Sequence, residues 1–199
     1  SGISTFQVTM KIGLFFGSFN PVHNGHMVIA GYMAEFTDLD QVWFIVSPHN
    51  PLKVKSSLLQ DYHRLTLVKL AIGDNRKLKA SDIEFKLPRP SYTIHTLAYL
   101  QEKYPTDKFV LLLGSDNIET FHKWKNYEQI LDGHELYVYP RDGEKTSPLF
   151  SHPQVKLVNA PRMELSSTFI RDSIKDKKDI RYMLPQSVWE YVEDMGFYK

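Results

Sequence analysis

The sequence predicts an α/β fold built on a doubly wound parallel sheet, and three observations carry that prediction. Near-continuous apolar runs of strand length recur along the 199 residues. Segments with helical spacing of apolar residues fill most of the intervals between them, and the connections are short. Strands that alternate with helices in this way demand a parallel sheet with right-handed crossovers and helices on both faces, a Rossmann-like arrangement. The elements follow in order. Residues 11–16, Lys-Ile-Gly-Leu-Phe-Phe, form a strand apolar on both faces, as a central parallel strand must be. A helix is expected over 25–36, a strand over 41–47, a helix over 61–72 and a weaker strand over 78–83. Helix 93–103, strand 109–113, helix 118–131 and strands 135–139 and 155–158 come next, and helices 167–175 and 186–195 close the chain. Several of these helices open with Asp, Ser or Thr, which cap free backbone N–H groups.

With 42% hydrophobic and 13% aromatic residues, the chain has the apolar content for one sizeable core. A single domain over residues 1–199 is expected, with its core at about 11–165 and a helical C-terminal part at about 166–199. The chain has no cysteine, which excludes disulfides, thiolate metal sites and a cysteine nucleophile and makes a reducing cytoplasm the expected location. No segment reads as a signal or as the roughly 20 apolar residues of a bilayer span, so no membrane role is expected. Ser1-Gly2 reads as a cloning remnant, with Met10 a candidate native start. The 24 basic and 23 acidic residues leave a net charge of +1, which is no footprint for a nucleic-acid backbone. Any anion bound here is small and locally recognised. The charge-rich stretch from Arg171 to Asp179 mixes signs and reads as a solvated helix end and turn.

In sheets of this kind ligands bind beyond the carboxyl ends of the strands. The loops that should gather there are polar: 17–26, 48–55, 114–117 and 140–143. The first is the most informative. Gly17-Ser18-Phe19-Asn20-Pro21-Val22-His23-Asn24-Gly25-His26 places two glycines and two histidines where a buried strand hands over to a helix. Glycines permit close backbone approach, the helix start offers free N–H groups and a positive dipole end, and histidines three apart share a face. Together these features suit a phosphate. The second motif is Leu165-Ser166-Ser167-Thr168-Phe169-Ile170-Arg171, a capped helix start with a guanidinium on the same face as Ser167. It is a second anion cradle.

The pattern Gly-x-Phe-x-Pro-x-His-x-Gly-His should arise by chance in about one chain in a million. It resembles the HxGH signature of the nucleotidyltransferase superfamily of adenylyl- and cytidylyltransferases. The second motif resembles that superfamily's Ile-Ser-Ser-Thr-x-Ile-Arg, with Leu165 in place of Ile. Within the superfamily the chain is similar to the bacterial nicotinate-nucleotide adenylyltransferases over nearly its whole length. The matching residues are Ser47-Pro48-His49-Asn50-Pro51-Leu52-Lys53, Arg64, Pro90-Ser91-Tyr92-Thr93, Gly114-Ser115-Asp116 with Trp124, Arg141, and the closing Gly196-Phe197-Tyr198. Asn20 stands where Asp is frequent, and Leu52 where His often precedes the basic residue.

The resemblance implies transfer of the adenylyl group of ATP to nicotinate mononucleotide, giving nicotinate adenine dinucleotide and pyrophosphate. It implies His23, His26 and Arg171 as catalytic residues. ATP would be held by Gly17, Ser18, Phe19, Gly25, Gly114, Asp116, Arg141, Ser166, Ser167 and Thr168. The acceptor nucleotide would be held by Lys53, Ser91, Tyr92, Thr93 and Trp124, with Trp124 against the pyridine ring. Outside a resemblance Trp124 would read as core packing, Lys53 and Lys55 as solvated charges and Asp116 as a helix cap. Mg²⁺ should ride on the triphosphate, since no acidic cluster forms a protein cage for it. The remaining histidines show no metal-ligand spacing, and homo-oligomer formation is left open. Three other readings share parts of the pattern: an adenylyltransferase acting on nicotinamide mononucleotide or phosphopantetheine, a non-catalytic nucleotide-binding module, and a fragment related to class I aminoacyl-tRNA synthetases. Ser91-Tyr92-Thr93 with Trp124 favours a pyridine nucleotide, the paired histidines favour catalysis, and the charge balance disfavours tRNA.

Overall fold

The computed structural model describes residues 9–50, 56–143 and 146–199. Six strands form one sheet: β1 (Lys11–Gly17), β2 (Gln41–Val46), β3 (Leu78–Ser81), β4 (Lys108–Gly114), β5 (Leu136–Tyr139) and β6 (Val155–Leu157). All pairings are parallel, in the order β3-β2-β1-β4-β5-β6. This is the doubly wound order, with its topological switch between β1 and β4. The helices are α1 (Asn24–Phe36), α2 (Asp61–Ile72), α3 (Thr93–Lys103), α4 (Ser115–Ile118), α5 (Tyr127–Gly133), α6 (Ser167–Lys175) and α7 (Gln186–Met195). None of the described helices is long and apolar enough to cross a membrane.

Strand residues divide by parity between two apolar layers, as the pleat requires. Val42, Phe44, Val46, Val110, Leu112, Tyr137 and Tyr139 face a layer shared with Ile29 and Met33 of α1, Leu67 and Val68 of α2, Ile170 and Ile174 of α6, and Val188 and Val192 of α7. Trp43, Ile45, Phe109, Leu111, Leu113, Leu136 and Val138 face the other, shared with Leu97 and Leu100 of α3 and Ile130 and Leu131 of α5. The C-terminal helices therefore complete the layer that α1 and α2 begin.

The expected helix over 118–131 is not continuous. It is three pieces: α4, a 3-10 turn at Phe121–Lys123, and α5. Ile118, Phe121, Ile130 and Leu131 are all buried, although Phe121 and Ile130, nine residues apart, would face opposite ways on one helix, and the backbone leaves the helix at Trp124, extended at φ −72° and ψ 143°, and at Asn126, left-handed at φ 56° and ψ 37°. Asn is among the few residues that enter the left-handed region without great strain. The break sends Lys125 toward the start of α3, where its ammonium lies 4.5 Å from the centre of the Tyr92 ring.

Candidate active site

The carboxyl ends of β1, β4 and β5 converge on the start of α1. His23 is the N-cap of α1, and its Nδ1 accepts hydrogen bonds from the Gly25 and His26 backbone N–H groups at 3.0 and 3.3 Å. His26 returns the arrangement: its Nδ1 accepts from the His23 N–H at 3.1 Å. This is a capping box made by two imidazoles. The rings stack with centroids 3.7 Å apart and planes 23° from parallel, and the Phe19 ring stands edge-on to His26 at 5.0 Å.

A nitrogen that accepts a hydrogen bond carries no proton, so both neutral rings hold their hydrogen on Nε2. Protonating either ring would place a hydrogen on Nδ1 and break the cap. Burial, aided by the nearby Arg141 guanidinium, holds His23 down from the ordinary 6.5 to about 4. Burial first, then His23 and Arg141, hold His26 well below its ordinary value. Gly25 is required by this geometry: a Cβ there would lie 2.8 Å from His23 Cε1 and 2.9 Å from its Nδ1.

The second motif folds as its composition predicts. Ser166 is the N-cap of α6, its Oγ accepting from the Phe169 N–H at 3.1 Å. The Ser167 hydroxyl donates to the Pro21 carbonyl at 2.9 Å, and Arg171 Nη1 donates to the Asn20 carbonyl at 2.9 Å. The two motifs are thus tied together by their side chain to backbone bonds. Ser18, His23, His26, Arg141, Ser166, Ser167, Thr168 and Arg171 all line one cleft of about 340 Å³, with Asn20, Pro48 and Asn50. A cleft edged by two guanidinium groups, imidazole N–H donors, hydroxyls and a helix start, with no acidic side chain in its lining among the described residues, suits an anion.

Gly114 and Asp116 sit beside this cleft at the end of β4. The Asp116 carboxylate lies 3.8 Å from Arg141 Nε, and its Oδ1 is buried without a hydrogen-bond partner among the described residues. A Cβ at Gly114 would collide with that oxygen. Gly17 accepts the Ser47 N–H at 2.9 Å and lies under the buried Phe19 ring, whose backbone is left-handed at φ 49°. Ser91, Tyr92 and Thr93 form the uncapped start of α3, where no acidic residue lies in the first turn, and Ser91 Oγ is buried and unpartnered among the described residues. Trp124 packs on Phe121 at 5.0 Å. Ser91, Tyr92, Thr93 and Trp124 do not line the 340 Å³ cleft. Lys53 lies outside the described residues.

Several residues that the sequence reading named without a role prove to build the site. Arg64 is fully buried, and its guanidinium donates to the carbonyls of Leu59, Ser18 and Ser47 and to the Asp61 carboxylate. It fastens the first loop to the second. The signal was present, since Arg64 stands in the apolar stripe with Leu67, Val68 and Ala71, where a surface charge has no place. The Ser115 hydroxyl grips both backbone groups of Arg141 at 2.6 and 2.7 Å. Asn20 Oδ1 accepts from the Leu59 N–H and from the Tyr198 hydroxyl at 2.6 Å. His63, His134 and His152 bond to Tyr191, to the Phe109 carbonyl and to the Gln154 N–H, as structural histidines do.

Comparison with known proteins gives the family and the fold. Residues 14–173 match the family model described as cytidylyltransferase-like. The chain is 57% identical over 192 residues to the "Probable nicotinate-nucleotide adenylyltransferase" of Flavobacterium johnsoniae, covering 96% of this chain and 100% of that one. It is 47% identical over 185 residues to the protein of the same description from Bacteroides thetaiotaomicron, covering 93% and 92%. Its fold matches Plasmodium falciparum nicotinic acid mononucleotide adenylyltransferase complexed with NaAD at a TM-score of 0.79 and 20% identity, over 95% of this chain and 97% of that one.

Proposed function

This chain belongs to the cytidylyltransferase-like family, and from that membership we propose that it transfers the adenylyl group of ATP to nicotinate mononucleotide in NAD biosynthesis. The 5′-phosphate oxygen of the acceptor attacks the α-phosphorus of ATP in line. The new P–O bond forms as the bond to the bridging α,β oxygen breaks, and its electron pair leaves on pyrophosphate. The acceptor phosphate is already anionic, so no general base and no covalent intermediate are required. Catalysis consists of alignment and charge stabilisation.

The observation that carries this reading is the pair of locked imidazoles, each with Nδ1 committed to the backbone and Nε2–H left as a donor at the anion cleft. His23 and His26 would donate to the α and β phosphates, and Ser166, Ser167, Thr168 and Arg171 would hold the departing end. Arg141 and Asp116 would meet the nucleoside, with the apolar cleft of about 470 Å³ next to Arg141, bounded by Tyr139, Pro140 and Val158, as room for the purine. The acceptor's pyridine ring would lie on Trp124 with its carboxylate toward the uncapped start of α3. ATP would enter with Mg²⁺ on its phosphates, because the described lining of the cleft offers a cation no carboxylate. A cysteine-free enzyme of this kind belongs in the cytoplasm.

The test is product analysis with ATP, Mg²⁺ and a panel of acceptor phosphates, in the wild type and in His26→Ala. The variant should remain folded and lose at least about a hundredfold in turnover, the usual effect of removing a preorganised donor. Near-normal turnover would reject the assignment. Nicotinate mononucleotide should be used at least about tenfold better than the amide, whose N–H₂ would meet donors rather than acceptors, an unpaired group costing about 1–3 kcal/mol.

A further inference from the structure

Behind the start of α3 lies a carboxyl group that the proposed chemistry does not use. Glu84 sits in the 3-10 turn Ile83–Lys86 that follows β3, and at 3% exposure it is the one buried acidic side chain among the described residues. Its polar contact is Thr96, itself fully buried, with Thr96 Oγ1 2.6 Å from Glu84 Oε2. Thr96 Oγ1 also lies 3.4 Å from the carbonyl of Tyr92, the N-cap residue of α3. That carbonyl receives the His95 and Thr96 N–H groups that open the helix, at 3.0 and 3.2 Å.

We propose that Glu84 is a positioning residue of the acceptor site, fixing through Thr96 the first turn of α3 at which the pyridine carboxylate is received. The hydrogen count says in which form it does so. With a carboxylate at this place the Thr96 hydroxyl would have one proton for two acceptors, Glu84 Oε2 and the Tyr92 carbonyl. A carboxylic acid satisfies the chain of contacts without strain: Glu84 Oε2–H donates to Thr96 Oγ1, and the Thr96 hydroxyl donates to the Tyr92 carbonyl. Burial pushes the Glu84 carboxyl upward, against the smaller opposing effect of the Thr96 hydrogen bond. The neutral acid has a functional consequence. A negative charge one turn behind the helix start would oppose the positive dipole end that attracts the substrate carboxylate. A hydrophobic residue at 84 would avoid the charge but release the N-cap. Glu84 as an acid does both tasks, and so bears on the choice between nicotinate and nicotinamide.

This inference rests on the placing of the acceptor at Ser91–Thr93 and Trp124. Four variants separate the two: Glu84→Gln, Glu84→Ala, Thr96→Val and Trp124→Ala, each assayed by full steady-state kinetics on both acceptors. Glu84→Ala and Thr96→Val should raise KM for nicotinate mononucleotide at least about tenfold and lower the acid-over-amide preference, with kcat and KM for ATP within about threefold. Glu84→Gln, a neutral isostere that still reaches Thr96, should restore wild-type values within about threefold. An unchanged acceptor KM in Thr96→Val overturns the proposal, and does so even if Glu84→Ala fails to fold. Equal impairment in Gln and Ala overturns it too, because the charge would then be what the enzyme uses. If Trp124→Ala leaves the acceptor KM unmoved, the placing of the acceptor falls. A raised acceptor KM in Trp124→Ala with none in Thr96→Val removes only the role given to Glu84.

Discussion

Gly25→Ala is expected to separate activity from stability. The added Cβ would stand 2.8 Å from His23 Cε1 and 2.9 Å from Nδ1, whereas carbon atoms in contact settle at about 3.5–4.0 Å. The ring must therefore move by about 1 Å, which costs it the caps on Gly25 and His26 and its stack on His26. Losing an N-cap destabilises a helix by about 0.5–2 kcal/mol. Replacing Gly by Ala inside a helix returns about 0.5–1 kcal/mol. The net change in unfolding free energy should thus be no larger than about 1.5 kcal/mol. The chemistry should suffer more, because a 1 Å misplacement of a reacting group costs about a hundredfold in rate, equivalent to about 2.7 kcal/mol of transition-state stabilisation. Urea denaturation measures the first quantity, and release of pyrophosphate from ATP and nicotinate mononucleotide at saturation measures the second. A variant that keeps turnover within threefold of wild type would refute the claim that the stacked His23 ring defines the site. Loss of the folded state would refute the claim that Gly25 serves the ring rather than the fold.

Three other outcomes follow from the same geometry. Arg64→Ala takes the guanidinium from three loop carbonyls and leaves the Asp61 carboxylate only the His49 N–H and Arg89 as donors, and should cost about 3–5 kcal/mol in denaturant unfolding, as the loss of one partner of a buried charged network does; a change under about 1 kcal/mol would contradict its role as the fastener of the loops. His23 is held neutral in the fold, so its contribution to stability is present above the unfolded value of 6.5 and is lost as pH falls through about 4. The loss should approach about 3 kcal/mol, and ring ¹⁵N spectra should show an unprotonated Nδ1 at pH 5.5, where a freely titrating histidine would already be charged. Arg171→Ala should fall mainly on the use of ATP, with KM for ATP rising at least about tenfold; a defect confined to the acceptor KM would mean that the two anion cradles are assigned to the wrong substrates.

The parts of this molecule that were legible in the sequence are those whose determinants are local. Strands buried on both faces must be apolar throughout, so β1, β2, β4 and β5 stood out, and Ser166 announced α6 by its capping hydroxyl. His23, Gly25 and His26 could be read because all three act within one turn of α1. The break between α4 and α5 was hidden, because no Gly or Pro marks it and Ile118 with Phe121, and Tyr127 with Ile130 and Leu131, each have helical spacing; only the half-turn offset between Phe121 and Ile130 tells that they do not share one stripe. Arg64, Ser115 and Asn20 act through partners fixed by topology: the acceptors of Arg64 lie at residues 18, 47, 59 and 61, and no pattern in a linear sequence states which carbonyls converge. Glu84 was illegible for the same reason, since an acid in a short turn looks solvated until the helix that covers it is in place.

The ties between Ser167 and Pro21, Arg171 and Asn20, and Tyr198 and Asn20 span 146, 151 and 178 residues of sequence. They place completion of the anion cleft at the end of biosynthesis. A nascent chain that has extruded its first five strands already owns the histidine cradle, but Asn20 has no Tyr198 to bind and the Pro21 carbonyl no Ser167. Contacts of such separation close late because the loop between them must first be ordered. A growing polypeptide of this sequence would therefore leave the ribosome with its anion cleft unfinished, and the cleft would close together with the finished fold.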